Sequence, residues 1–60
     1  MPRNLHYYQR EVTNLLSRIS DEDTADRFDA AIERFWDDQV SLMEMADELR
    51  EELRSQRMFS

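Results

Sequence analysis

Hydrophobic residues recur along this chain at steps of three and four, the spacing that gathers them on one face of a helix turning about 100° per residue. Leu5, Tyr8, Val12, Leu15, Leu16 and Ile19 fall within one arc, roughly 100° wide, as expected of a core-facing stripe. Ala25, Phe28, Ala31, Ile32, Phe35 and Trp36 occupy a second, somewhat wider arc, and Leu42, Met45, Ala46, Leu49 and Leu53 a third. Each segment runs for about sixteen residues, an ordinary helix length. The pattern predicts an all-α fold: three short antiparallel helices over about residues 4–19, 21–37 and 42–57, packed as a small bundle in a single helical domain spanning 1–60.

Local signals mark the breaks between these segments. Ser20 followed by Asp21, Glu22 and Asp23 reads as an N-cap with acids over the first turn, where the helix dipole favours negative charge. No glycine accompanies this break, so Ile19 and Ser20 have to manage its geometry. Ser41 and Glu44 have capping-box spacing, with Val40 and Met45 placed as a hydrophobic staple around the same cap. Asp37, Asp38, Val40 and Ser41 are weak helix formers. These features predict a turn at 38–41. The second and third stripes differ by only about 40° if the helix is continued. A helical hairpin with one long second helix, forming an antiparallel dimer, is therefore the alternative architecture, related to the bundle by domain swapping.

Charge adds a register. Glu22, Asp26, Asp29, Glu33 and Asp37 line one side of the second segment, where like charges cost about 0.2–0.5 kcal/mol per pair in an isolated helix. Arg50, Arg54 and Arg57 form a basic strip beside the third apolar face. Antiparallel packing about a pivot at Gln39 sets Asp29 level with Arg50, Asp26 with Arg54 and Glu22 with Arg57.

Composition narrows the function. With 60 residues the chain has room for one domain, and a domain of this size buries only about 60% of its unfolded surface. There is no cysteine to staple it, so self-association, as a homodimer, or docking on a protein partner is the expected supplement. Zero glycine, one proline and 37% charged residues agree with a nearly all-helical chain. Fourteen acids stand against eight arginines and no lysine, for a net charge of −6. Such a surface repels nucleic acid and anionic membranes, so neither is expected as a direct partner. No long apolar run or signal segment is present, which points to the cytoplasm.

Catalytic chemistry finds little to build on. Asp21 and Asp23 have calcium-loop spacing, but Arg27 and an intact helical pattern replace the glycine and sharp turn that loop requires. A di-metal bundle site needs Glu-x-x-His pairs, and the single histidine, His6, belongs to none. Paired carboxylates act in a pocket that separates their pKa values, and three short helices leave little room for a cavity of about 300 Å³. The sequence thus predicts no enzyme, cofactor, metal or small-molecule substrate. In length, and in an acidic turn followed by Ala25, Asp26, Arg27 and Phe28, the chain resembles the RNA-binding helical hairpins of the Rop type. The lysines of that family's RNA face have no counterpart here, so the resemblance implies no RNA binding.

Interaction surfaces remain. Tyr7, Met43 and Phe59 lie off the core stripes and Trp36 at the edge of its own. Glu33, Asp37 and Asp38 find no arginine in the register above. Large apolar groups outside a core mark contact sites when they cluster, and tryptophan is a frequent anchor. The predicted partner-binding residues are therefore Glu33, Trp36, Asp37, Asp38 and Met43, in a small acidic regulator or adaptor. The alternative is a nucleic-acid-mimicking inhibitor, as from a phage or mobile element, whose acid strip imitates a row of phosphates.

Overall fold

Asn4 starts the first helix. In a computed structural model of the chain, which describes residues 4–58 and side chains as far as Gln56, its backbone is extended and its Oδ1 accepts from the Tyr7 amide at 3.0 Å. This satisfies one of the donors that every helix start leaves open. The helix, α1, runs Leu5–Leu16 and stops short of 19. The Arg18 and Ile19 amides then turn back to the Leu15 and Leu16 carbonyls at 3.1 and 3.0 Å, tightening the last turn.

No non-glycine residue among those described has a positive φ, so the turn after α1 is made without left-handed backbone. A distant side chain holds it instead. The Gln56 amide donates from Nε2 to the Arg18 carbonyl at 3.3 Å and accepts at Oε1 from the Ser20 amide at 3.1 Å. Ser20 is thereby used by Gln56, and the cap of the next helix falls one residue later, on Asp21. Its carboxylate accepts from both the amide and the hydroxyl of Thr24, at 3.0 and 2.6 Å.

Helix α2 runs Glu22–Arg34, with Glu22 and Asp23 in its first turn and Arg34 in its last, each matching the dipole. The Phe35 amide closes the last turn on Ala31 at 3.0 Å, and Asp38 donates back to the Phe35 carbonyl at 2.9 Å. The break therefore falls at 35–38, not 38–41. Helix α3, Gln39–Met58, begins with Asp38 as its cap. The Asp38 carboxylate takes the Ser41 amide at 3.2 Å and the Ser41 hydroxyl at 3.0 Å. Val40 and Ser41, expected in the turn, lie inside the first turn of α3. The long second helix and its antiparallel hairpin are excluded by the same break, and three helices replace the two of a Rop-type hairpin.

Cross-helix contacts fix the directions. Glu11 meets Arg50, and further along both helices Arg18 meets Gln56, so α1 and α3 run in the same sense. The chain leaves α1 beside Gln56 and returns at Trp36 to Gln9, near the start of α1, so α2 runs back between them. Packing is closest between α1 and α3; α2 contacts both more lightly. The buried core is Val12 and Leu15 from α1, Ile32 from α2, and Leu42, Met45, Ala46 and Leu49 from α3. Leu5, Tyr8, Leu16, Ile19, Phe28, Ala31 and Leu53 pack around it. Both outer stripes are used as predicted. Phe35 and Trp36 are not, because α2 ends before them.

Candidate functional site

Trp36 sits in the turn between α2 and α3, where its backbone carbonyl accepts from Gln9 Nε2 at 2.8 Å. That bond ties the turn to α1 and leaves the indole at the seam between α1 and α2, 41% exposed. On one side of the ring lies an open groove of about 550 Å³, lined by Thr13 and Leu16 of α1 and Asp29, Ile32 and Glu33 of α2. On the other lies a smaller hollow of about 220 Å³ lined by His6, Gln9, Arg10, Thr13 and Asn14. Trp36 divides the two. The larger exceeds the roughly 300 Å³ of a small-molecule pocket, yet it is a trough open to solvent and not an enclosed cavity.

Of the residues predicted to bind a partner, the structure brings Glu33 and Trp36 into one groove. Asp37 is exposed in the turn. Asp38 is exposed too, but its carboxylate is engaged in capping α3. Met43 is 40% exposed and two helical turns before Arg50, so it shares the side of α3 that packs toward α1, away from the Trp36 groove. Tyr7 packs edge-on against Tyr8, ring centroids 5.1 Å apart. Phe59 and the Arg57 side chain lie outside the described residues. The groove's α1 wall, Thr13 and Leu16, was not anticipated. The sequence signal for it is Leu16 itself, which extends the α1 stripe toward one flank. Phe35 and Val40 also stand exposed beside the turn.

The charge register is corrected. Arg50 forks between Glu11 of α1 and Asp47 of its own helix, both at 3.1 Å, and does not pair with Asp29. Arg54 lines a groove with Glu11, Leu15 and Arg18, on the α1 side of α3. Among the described residues no ion pair reaches Asp26, Asp29 or Glu33. The reason lies in the turn. The break at 35–38 moves the register off a pivot at Gln39: Gln56 bonds the Ser20 amide and Thr24 lies in one hollow with Glu52, so Glu22 falls level with Arg54 and not with Arg57. Arg50 and Arg54 lie on the α1 side of α3, with Glu11, Leu15 and Arg18. Among the described residues, no ion pair compensates the acidic side of α2.

The Thr24 hydroxyl and amide, which hydrogen-bond the Asp21 carboxylate, hold its pKa below the ordinary value, with a smaller contribution from the Arg27 charge. Among the described residues no polar or charged side chain is buried, and no three acids or histidines are gathered to hold a metal ion. No described helix is long and apolar enough to cross a membrane. No protein-family model matches the chain, and no curated protein or solved structure matches it either.

Proposed function

We propose that this protein is a small, non-catalytic, cytoplasmic module that regulates or adapts a protein partner through the α1–α2 face centred on Trp36. One observation carries the reading: a large exposed aromatic residue, its backbone tied to α1 by Gln9, stands at the mouth of an apolar-walled groove with two carboxylates on its rim. An exposed aromatic on an anchored backbone loses less entropy when a partner covers it, and tryptophan recurs at the centres of interfaces. Among the described residues no polar or charged side chain is buried, and burial or tight charge coupling is what perturbs catalytic groups.

The test is position-specific crosslinking in cells of the native host. A photoreactive phenylalanine at Thr13, in the groove wall, is expected to give a discrete protein adduct, and the same group at Glu51, on the outer face of α3, none. Adducts of equal yield from both positions, or the same adduct after Trp36→Ala in a variant that keeps its helical circular dichroism, remove this site.

A second reading is favoured by the acids of α2 that no ion pair meets among the described residues. Glu22 to Glu33 runs about three turns, roughly 16 Å at the helical rise, and could stand in for phosphates before a nucleic-acid-binding protein. Competition between this protein and duplex nucleic acid for the crosslinked partner decides for it; indifference of that partner to nucleic acid decides against. Self-association as a homodimer would add buried surface to a small domain in either case.

A further inference from the structure

We infer that the natural occupant of the Trp36 groove is an amphipathic helix of a partner protein, with an apolar ridge on Trp36 and a cationic flank over Asp29 and Glu33. This rests on the protein-binding reading above and specifies the partner's chemistry. The groove lies between two helices whose backbone groups bond internally, so it offers no free edge for an added strand. Its floor and walls, Leu16, Ile32 and Trp36, are apolar, and suit side chains recurring at three- and four-residue steps. A fourth helix laid in the seam covers all three.

Charge then selects among helices. The α2 rim carries Asp29 and Glu33, neither met by a cation among the described residues, while the far side of Trp36 carries Arg10. The complementary helix is basic along the edge facing α2 and neutral or acidic along the edge facing Arg10. A second copy of this chain fits poorly. Each copy has a net charge of −6, and a two-fold pairing of this groove with itself brings two concave surfaces together, with no ridge to fill either.

Trp36 is the sole tryptophan, so its emission reports on this groove alone. The probes are three synthetic helical peptides of one apolar ridge, flanked on one edge by arginine, glutamine or glutamate. The arginine peptide is expected to shift Trp36 emission to shorter wavelength and to bind at least tenfold more tightly than the glutamine peptide. The glutamate peptide is expected not to bind. Raising salt from 50 to 300 mM weakens the arginine peptide severalfold, and D29N/E33Q removes most of its advantage. In fluorescence anisotropy with labelled peptide, Trp36→Ala weakens binding about 30-fold, as for an interface anchor.

Equal affinity for the arginine and glutamine peptides, unaltered in D29N/E33Q, overturns the charge selection and leaves the protein-binding reading intact. So does a Trp36-dependent crosslinked partner alongside no response to any peptide. A concentration-dependent emission shift of the protein alone, with a dimer in sedimentation equilibrium that Trp36→Ala dissolves, makes a second copy the occupant and overturns the inference. Silence in both the peptide and the crosslinking experiments takes the protein-binding reading down with it.

Discussion

Asp21 and Asp38 solve one local problem in the same way. Each precedes a helix, and each carboxylate collects the amide and the hydroxyl of the residue three further on, Thr24 or Ser41. The sequence holds competing versions of both caps, Ser20 with Asp23 and Ser41 with Glu44, and spacing alone does not rank them. What ranks them is how many donors one group satisfies. A carboxylate takes two at once, and with a formal charge it also meets the positive end of the helix dipole. Asp21 accordingly has a folded-state pKa below its unfolded one, set first by the Thr24 hydroxyl. Its contribution to stability is fully present above the unfolded value, near 3.9, and fades as pH falls through the lower folded value. Asp21→Asn keeps a capping acceptor and removes the titration. The stability gap between wild type and D21N, by urea unfolding, is therefore expected to narrow between pH 5 and pH 2. A gap that stays constant or widens on acidification shows that Asp21 is not preferentially ionised in the fold.

Among the elements, the apolar stripes of α1 and α3 were legible and that of α2 only in part, although α1 ends at Leu16 and not 19 and α3 begins at Gln39 and not 42. The α1 and α3 stripes bury against each other, so every position read as apolar and in phase is used. Helix α2 gives the buried core one residue, Ile32. Its pattern ran on through Phe35 and Trp36 because aromatic residues fit a helical stripe as readily as a turn. Their fate was decided by Gln9, far away in sequence, taking the Trp36 carbonyl. The turn thus came three residues early, at 35–38. The facing positions moved with it by about three residues, as the Ser20–Gln56 bond marks, about 4.5 Å at 1.5 Å per residue. Of the candidate residues, Glu33 and Trp36 line one groove, while Met43 lies on the α1 side of α3 and the arginines of α3 do not pair with α2. The turn between α1 and α2 could not be read locally either, because Gln56 holds it from α3. Gln56→Ala removes both bonds. Each is worth about 0.5–1.5 kcal/mol net, and partial exposure argues for the low end, so the expected loss is about 1 kcal/mol in all. Gln56→Glu, which keeps the acceptor for Ser20 and loses the donor for Arg18, should fall between. An unchanged urea midpoint for Q56A means that the Asp21 cap sets this turn unaided.

For the molecule as a whole, the side of α2 that no ion pair meets among the described residues carries a cost of its own. Asp26, Asp29 and Glu33 repel along one flank, with like charges at three- and four-residue steps worth about 0.2–0.5 kcal/mol per pair. A bundle stabilised chiefly by ion pairs loses stability as salt screens them. One whose charges mainly repel gains it. Here a single exposed bridge, Arg50 to Glu11, joins two helices among the described residues, and such pairs contribute about 0–1 kcal/mol. Raising ionic strength from 10 to 150 mM shortens the screening length from about 30 to about 8 Å, close to the spacing along the strip. The thermal midpoint is therefore expected to rise with salt. D29N/E33Q is expected to reach the same end without salt, gaining about 0.5–1 kcal/mol at 10 mM, several degrees for a domain this small, and to respond less to added salt. A variant that is more stable and yet weaker toward a cationic helix would locate the purpose of those carboxylates in binding. If it unfolds more easily than wild type at low salt, the two acids are holding the fold together, and the groove loses the charge that would select its partner.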